Sequence, residues 1–260
     1  MRIDGKVVLI TGASEGLGAA CAAEFARAGA KLSLAARSAD GLRRAASAAG
    51  ADAVISPGDL TAEAARRAAV ELTLDRFGRI DILINNAGIG IYAPSWSTPL
   101  DDARRLWELN FFTALAMAQL VAPRMIGQHS GLIVNIGSIA GKFTLPWMPL
   151  YSASKFALTS WTESLRMELR GSGVRAMLVC PGYIDTAFQK HVLAGEPPPQ
   201  IAGGKRFAVT AHDCARAIRR GVERDARTVM TPRLGWAMVA LAALFPGLVE
   251  ANLAKLNGTA

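Results

Sequence analysis

Tyr151 and Lys155 stand four residues apart in the segment YSASK, thirteen residues after Ser138. Residues at this spacing share one face of an α-helix, so the phenol and the ammonium group can approach the same small volume. A nearby cation stabilises a phenolate and lowers the pKa of a tyrosine from its usual value near ~10. Ser138, which ends the apolar run LIVNIGS, can donate a hydrogen bond to a substrate carbonyl. These residue types predict proton transfer at a carbonyl or alcohol oxygen, although YxxxK alone also occurs on ordinary amphipathic helices.

A glycine-rich turn follows the first apolar run of the chain. The β-branched run at residues 7–10 predicts a buried parallel strand, and the alanine-rich stretch after the turn predicts a helix. Between them, Gly12, Gly16 and Gly18 follow a G-x-x-x-G-x-G pattern in TGASEGLG. Glycines let the backbone turn tightly and let a pyrophosphate approach a helix N-terminus, whereas a plain β-to-α turn needs only one of them. The segment therefore predicts nucleotide binding.

Six motifs occur in order along the chain. They are TGASEGLG, NNAG at residues 85–88, Asn110 in WELNFF, IGS ending at Ser138, YSASK, and PGYIDT at residues 181–186. This ordered set resembles that of the short-chain dehydrogenase/reductase family, in its compact single-domain branch. The resemblance implies an α/β fold, a doubly wound Rossmann-type parallel sheet of about seven strands. It also implies a nicotinamide cofactor and hydride transfer to or from a carbonyl or alcohol carbon.

The resemblance assigns separate roles to four catalytic candidates. Tyr151 is the acid/base, Lys155 is its pKa partner and a ribose ligand, and Ser138 orients the substrate. Asn110 holds a water molecule that links Lys155 to solvent; as a plain helix residue it would instead bond its neighbours.

The same resemblance implies a larger set of cofactor contacts. Asp59 and Leu60 match the pair beside the adenine, and NNAG matches the turn around the adenine ribose, although such a turn could simply stabilise the sheet. The full set is Gly12, Ser14, Glu15, Gly16, Leu17, Gly18, Arg37, Asp59, Leu60, Asn86, Ala87, Gly88, Tyr151, Lys155, Pro181, Gly182, Ile184 and Thr186.

The end of the second apolar run indicates which nicotinamide cofactor is used. NAD enzymes place a carboxylate there for the ribose 2′-hydroxyl, whereas an arginine suits the additional phosphate of NADP. The run KLSLAARS has Ala36 at the acidic position and Arg37 directly after it. This favours NADP over NAD, because a guanidinium bonds a phosphate in two places. Glu15 argues the other way, because a carboxylate beside that phosphate would repel it, unless Glu15 pairs with a basic side chain or turns to solvent.

Size and composition agree with one catalytic domain. The chain has 260 residues, 51% of them hydrophobic, and apolar runs near residues 7, 32, 53, 80, 132, 175 and 228 alternate with helical segments. This alternation predicts repeated βα units in a domain at residues 1–232, followed by an apolar tail at 233–260. Helices expected at 101–128 and from YSASK to about Arg170 resemble the family's usual dimer interface, which implies a homodimer or homotetramer.

Charge, cysteine and histidine content exclude several other classes. The net charge of +8 arises from arginines scattered along predicted helices, so solvated helix faces explain it better than nucleic acid binding. Neither a disulfide framework nor a metal site is indicated by the isolated cysteines and histidines. No apolar segment precedes the first strand, and we expect a cytoplasmic protein. The residues concerned are Cys21, Cys180, Cys214, His129, His191 and His212.

Substrate selection is expected to lie in the segment after PGYIDT. In the family this segment closes over the substrate, and here it covers residues 187–209, with three prolines in GEPPPQ and two glycines in GGKR. Several apolar side chains could line the pocket mouth or, equally, pack in the core. They are Ile89, Ile91, Tyr92, Trp147, Met148, Leu150 and Phe188. They favour a bulky lipophilic ketone, aldehyde or alcohol as the small-molecule substrate.

The C-terminal tail carries an uncharged apolar stretch at residues 234–249, interrupted by Pro246. Spanning a bilayer takes about 20 apolar residues, so this stretch is too short. Packing on the substrate pocket or on a partner subunit is the favoured interpretation, and peripheral membrane contact is the less favoured one.

A different class of function remains open from the sequence. The same fold could serve as a non-catalytic NADP-binding redox sensor or scaffold, because a fold alone does not establish activity. This chain retains Ser138, Tyr151, Lys155 and Asn110, which favours an enzyme. An extended-family epimerase is disfavoured, since such chains are usually longer and carry a separate substrate domain.

Overall fold

A computed structural model describes residues 1–50, 52–186, 188, 192–195 and 208–256 of the chain. Its strands are β1 (Val7–Thr11), β2 (Lys31–Ala36), β3 (Ala53–Pro57), β4 (Ile82–Asn85), β5 (Gly131–Ile136), β6 (Val174–Pro181), β7 (Ile184–Asp185), β8 (Val209–Thr210) and β9 (Thr228–Thr231). Within this described part, seven strands form one parallel sheet in the order β3-β2-β1-β4-β5-β6-β9. The predicted doubly wound Rossmann-type sheet of seven strands is confirmed.

Helices cover both faces of the sheet. The helices of the described residues are α1 (Gly16–Arg27), α2 (Ala39–Ala49), α3 (Glu63–Phe77), α4 (Leu100–Trp107), α5 (Thr113–Gly127), α6 (Pro149–Glu168), α7 (Ala211–Glu223), α8 (Gly235–Leu244) and α9 (Pro246–Leu256). One face packs against α1, α2 and α7, through residues such as Phe25, Leu42 and Ile218. The other face packs against α3, α5 and α6, through residues such as Val70 and Met117. Both faces are therefore dry, which explains the continuous apolar runs of the strands.

The order of the strands reverses at β1. This strand pairs with β2 on one side and with β4 on the other, so the following helices leave in opposite directions. In open parallel sheets a crevice forms at such a switch point, outside the carboxyl ends of the strands. The glycine turn after β1 and the NNAG turn after β4 both lie at this point.

The predicted long helix at 101–128 has an interruption in its middle. A π-helical turn, Glu108–Phe112, joins α4 to α5. The combined helix Leu100–Gly127 is long and apolar enough to cross a bilayer by length and composition. Its Met117 and Val121 are nevertheless fully buried against the sheet, as in the core helix of a globular domain.

The C-terminal tail leaves the sheet after β9 as two short helices. We call α8 and α9 together, residues 235–256, the tail hairpin; the two helices are bent by 112° at the break between them. Its packing against the domain includes Val239, beside the buried side chains of Leu178, Cys180 and Met230. Most of its large apolar side chains are exposed.

Candidate active site

A cavity of about 1350 Å³ lies at the carboxyl edge of the sheet. Ordinary ligand pockets measure about 300–1,000 Å³, so this cavity has room for more than one small molecule. Most of the predicted site residues line it: Gly12, Ser14, Glu15, Gly16, Leu17, Arg37, Asp59, Leu60, Asn86, Ala87, Gly88, Ser138, Tyr151, Lys155, Pro181, Gly182, Ile184 and Thr186. Gly18 and Asn110 are not among the lining residues.

The glycine turn and the NNAG turn are locked together. The Thr11 hydroxyl accepts hydrogen bonds from the backbone amides of Asn86 and Ala87, at 3.0 and 3.1 Å. The Asn86 side chain donates to the carbonyls of Thr11 and Gly12, at 3.1 and 3.0 Å. The Asn86 side chain therefore stabilises the junction of the two turns, as in the alternative in which NNAG only stabilises the sheet. Asn86 nevertheless also lines the cavity.

Two of the three motif glycines are required by close packing. Gly12 has a φ of +64°, and a Cβ there would lie 2.9 Å from both the Ala87 Cα and the Asn86 Nδ2. A Cβ on Gly18 would lie 2.7 Å from Asn86 Nδ2 and would overlap the Gly12 carbonyl oxygen. Gly18 thus permits α1 to pack beneath the turn, and this explains why it does not line the cavity.

The turn has the shape and polarity that an anionic dinucleotide needs. Gly16 begins α1 with a φ of +56°, and no acidic residue follows in the first helical turn. The amides of that turn suit a pyrophosphate, because the positive end of the helix dipole and unpaired N–H groups coincide there. The cavity, its glycine floor and this helix N-terminus together fit a nicotinamide dinucleotide.

Ser138, Tyr151 and Lys155 converge at the other end of the cavity. Ser138 follows β5 and caps a short 3₁₀ turn, accepting a hydrogen bond from the Ala140 amide at 3.1 Å. The Ser138 side chain also acts on the Tyr151 hydroxyl and lowers its pKa. Lys155, one helical turn after Tyr151 in α6, donates to the Ile136 carbonyl at 2.9 Å. Its Nζ lies 5.6 Å from the centre of the Tyr151 ring.

Burial is the main cause of the pKa shifts of Tyr151 and Lys155. It raises the pKa of Tyr151 to about 12, and the Ser138 side chain only partly offsets it. Burial also lowers the pKa of Lys155 to about 8, against a smaller opposing effect of Cys180. The expectation that Lys155 brings the pKa of Tyr151 below its ordinary value is wrong for this arrangement. Desolvation disfavours both charged forms, and the ammonium is directed at the Ile136 carbonyl.

Asn110 lies inside the π-helical turn and is buried. Its Oδ1 accepts from the Ile89 amide at 2.8 Å, and its Nδ2 donates to the Ile89 carbonyl at 2.9 Å and to Ser154 Oγ at 3.2 Å. Both N–H groups of the Asn110 amide thus donate to other protein groups. This agrees with the interpretation of Asn110 as a helix residue that bonds its neighbours. One lone pair of Oδ1 remains, on the side of Gly88 that also faces Lys155.

Arg37 and Asp59 flank the opposite end of the cavity. Arg37 is exposed directly after the buried Ala36, at the end of β2. The pKa of Asp59 is lowered, chiefly by a hydrogen bond from the Thr61 amide, and the nearby Arg37 contributes to the lowering. Glu15 is exposed on the same rim and precedes α1 without a side-chain hydrogen bond to its first turn.

The apolar residues proposed for the pocket mouth divide into two groups. Ile89, Tyr92, Trp147, Met148 and Phe188 line the cavity. Ile91 and Leu150 do not, and Ile91 is packed in the core. The rings of Phe188 and Tyr151 meet edge to face, with centres 5.9 Å apart. Most of the predicted lid at 187–209, including His191, residues 196–200 of GEPPPQ and all of GGKR, lies outside the described residues.

Sequence reasoning missed several residues of the site. Thr11 and Ser154 hold the turns and Asn110 in place, and both stood inside the quoted motifs, so their hydroxyls were the available signal. Arg105 in α4 and Glu108 in the π-helical turn also border the cavity. Glu108 stood inside the quoted WELNFF, whereas no motif marks Arg105. Cys21, Cys180 and Cys214 are buried free thiols, and among the described residues no group of potential metal ligands occurs.

The parallel sheet, its glycine turn and the Ser-Tyr-Lys cluster define a Rossmann-type dehydrogenase or reductase. The chain belongs to the short-chain dehydrogenase/reductase family, because the family model described as short chain dehydrogenase matches residues 6–197. It is similar to the dehydrogenase/reductase SDR family protein 7-like of Anopheles gambiae, with 36% identity over 99% of this chain and 86% of that protein.

Two further relatives agree with this membership. The ketoacyl reductase HetN of Nostoc is 38% identical over 76% of this chain and 72% of its own length. A short-chain dehydrogenase/reductase of Burkholderia phymatum, solved in complex with NAD, is 30% identical. It superposes with a TM-score of 0.86, over 95% of this chain and 96% of that one.

Proposed function

We propose that this protein is an NADP(H)-dependent oxidoreductase that interconverts a carbonyl and a secondary alcohol on a lipophilic small molecule. One observation carries the proposal: Ser138, Tyr151 and Lys155 line the same cavity as a glycine turn suited to a dinucleotide. The proposal names Asn110 as a positioning residue, because its amide is bonded to Ile89 and Ser154.

The residues of the cluster divide the proton chemistry between them. The raised pKa of Tyr151, about 12, keeps the phenol protonated at neutral pH, so it donates a proton to the oxygen of a bound carbonyl. Ser138 donates a hydrogen bond to the same oxygen while negative charge develops there. Lys155, with a pKa of about 8, is mostly charged at neutral pH and lies close enough to stabilise a phenolate as it forms. A bound nicotinamide dinucleotide supplies or accepts the hydride.

Support for NADP over NAD comes from the rim at the end of β2. Ala36 leaves no carboxylate at the position that would bond a ribose 2′-hydroxyl, and the exposed Arg37 borders the cavity directly after it. A guanidinium is the side chain best suited to a phosphate. Glu15 acts against this preference, since its carboxylate lies on the same rim.

Support for a lipophilic substrate comes from the cluster end of the cavity. Tyr92, Trp147, Met148 and Phe188 give this end an apolar surface. One relative is named a ketoacyl reductase. A ketoacyl group has a carbonyl on an acyl chain, and such a chain suits an apolar surface. Small polar carbonyls would gain little from these contacts.

A homo-oligomer is part of the proposal. Phe112 and Ile126 are exposed on the π-turn and α5, and Phe156 and Met167 are exposed on α6. These are the two helices that the family resemblance assigns to a dimer interface. Exposed large apolar residues on both helices support burial by a second copy.

The decisive experiment measures NADPH oxidation against a panel of carbonyl compounds, for the wild type and for Tyr151→Phe. We expect turnover of long-chain or polycyclic carbonyls, and a fall in kcat of about 10²–10⁴ in the variant. NADPH binding, followed by nucleotide fluorescence, should persist in the variant, because the other cofactor contacts that line the cavity are unchanged. Cofactor binding without turnover of any carbonyl or alcohol would instead identify a redox sensor or scaffold.

A further inference from the structure

The tail hairpin exposes a concentrated apolar surface. Leu244, Phe245 and Leu248 at its bend are 72%, 57% and 59% exposed. Four more large apolar side chains precede them, also largely exposed: Leu234, Trp236, Met238 and Leu241. A large exposed apolar patch on a folded domain indicates a surface that binds a membrane or another protein.

Helix α8 is apolar around most of its circumference. Its sequence, GWAMVALAAL, contains no charged side chain. At 100° per residue, the exposed Trp236, Met238, Leu241 and Leu244 cover an arc of about 200°. A helix that packs against one protein surface usually buries a stripe little more than about 100° wide. A second protein would therefore leave part of this arc in water, whereas a lipid phase covers all of it.

The residues at the two ends of the tail hairpin are of the types found at the interface between a membrane and water. Arg233 stands directly before it, Lys255 lies in its last turn, and both are exposed. Trp236 lies within the first turn of α8, and tryptophan is enriched at membrane–water interfaces. Cations at this level attract anionic headgroups, and the protein as a whole carries a net charge of +8.

Neither helix of the tail hairpin is long enough to cross a membrane by itself, although the two pass the length and composition test for a span together. Ten helical residues extend for about 15 Å, roughly half of a hydrocarbon core of about 30 Å. The 112° bend after α8 turns the chain away from its first direction. The geometry therefore suits shallow insertion into one leaflet, with the bend at Phe245 and Pro246 as the deepest point.

The root of the tail hairpin adjoins the catalytic cavity. A Cβ on Gly235 would lie 3.0 Å from Ile139 Cδ1, and Ile139 lines the cavity. A Cβ on Gly182, another lining residue, would lie 3.2 Å from Pro232. A surface bound through the tail hairpin would thus lie beside the carboxyl edge of the sheet, where a lipophilic substrate could pass from the lipid to the cavity.

We propose that the tail hairpin is a monotopic membrane anchor, which inserts residues 234–249 into the surface of a lipid bilayer that contains anionic lipids. The anchoring does not depend on the proposed enzymatic function, because it rests on the exposed tail alone.

Flotation of the full-length protein with lipid vesicles tests this proposal. We expect the wild type to float with vesicles of phosphatidylcholine and phosphatidylglycerol, and less with phosphatidylcholine alone. Leu244→Glu should lower the partition coefficient by about tenfold or more, because a charge replaces an inserted apolar side chain. Leu100→Glu is the matched control: Leu100 is 70% exposed on α4, outside the tail, and its replacement should change the partition coefficient less than about twofold.

Two further measurements keep the test independent of folding defects. Brominated lipids should quench the fluorescence of the wild type more than that of Trp236→Phe, which removes one of five tryptophans. Light scattering without lipid should give Leu244→Glu the same oligomeric state as the wild type. Absence of wild-type flotation, equal losses for Leu244→Glu and Leu100→Glu, or unchanged quenching in Trp236→Phe would overturn the proposal. Dissociation of an oligomer by Leu244→Glu would overturn it too, and would identify a second copy of the chain as the occupant.

Discussion

The Asn110 side chain forms hydrogen bonds with both backbone polar groups of Ile89: its Oδ1 accepts from the amide at 2.8 Å, and its Nδ2 donates to the carbonyl at 2.9 Å. These two hydrogen bonds join the π-helical turn to the loop that follows NNAG. Because α-helical geometry is interrupted at Asn110, the side chain reaches across to a neighbouring loop instead of facing its own helix. π-turns of this kind are frequent at functional sites.

Removing this link gives the first prediction. In Asn110→Ala the amide and carbonyl of Ile89 lose their partners, so the free energy of unfolding should fall by about 1–3 kcal/mol. The loop beside the cavity would also shift, and kcat/KM should fall by about 10²-fold. Urea unfolding and steady-state kinetics measure the two effects. Gln119→Ala, which removes an exposed amide from α5, should leave both unchanged; a similar loss there would show that the effect is not specific to Ile89.

Gly88 provides the second prediction, because it separates two polar groups of the site. A Cβ there would lie 3.1 Å from Asn110 Oδ1 and 3.7 Å from Lys155 Nζ. Gly88→Ala should therefore displace one of these groups and lower kcat by about tenfold or more, with a smaller effect on stability. Gly127→Ala, in the last turn of α5, meets no atom within 4 Å and should leave kcat unchanged. Equal kcat values for the two variants would contradict the proposed positioning.

Much of the fold followed from local sequence patterns. Apolar runs expected near residues 7, 53 and 228 begin strands at Val7, Ala53 and Thr228. The glycine turn predicted nucleotide binding, because three closely spaced glycines are needed only where a backbone or a ligand approaches closely. Gly12 and Gly18 show the backbone part of this requirement, since a side chain at either would collide with the turn around Asn86.

Other properties depend on contacts between distant segments and were not predictable from patterns. The raised pKa of Tyr151 reflects burial, which only the packed cavity determines. The side chain of Asn110, in the π-turn, bonds Ile89, which stands twenty-one residues earlier in the chain. The exposure of Leu244 and its neighbours required knowing that no other described segment covers the tail hairpin. The apolar composition alone favoured packing on the substrate pocket or on a partner subunit.

Arg37 gives the third prediction, on cofactor preference. If its guanidinium binds the 2′-phosphate, Arg37→Ala should raise the KM for NADPH by about tenfold or more, since a charge-assisted pair is lost. The KM for NADH should change far less, because NADH lacks that phosphate. Arg124→Ala, at an exposed position of α5, controls for a general loss of positive charge. Equal effects of Arg37→Ala on the two cofactors would remove the argument for NADP.

Lys155 gives the fourth prediction, on stability against pH. Burial lowers the pKa of Lys155 from 10.5 to about 8, so between these values the unfolded chain binds a proton that the folded chain does not. The free energy of unfolding of the wild type, relative to Lys155→Met, should therefore rise with pH across this window, by up to about 3 kcal/mol. In the folded protein Tyr151, with a pKa of about 12, stays protonated in this range. Its titration in the unfolded chain, near ~10, is common to the wild type and Lys155→Met and cancels in their difference. Urea unfolding at several pH values measures the difference, and Lys255→Met, at an exposed lysine, should run parallel to the wild type. A parallel course for Lys155→Met as well would mean that the ammonium is not desolvated in the folded protein.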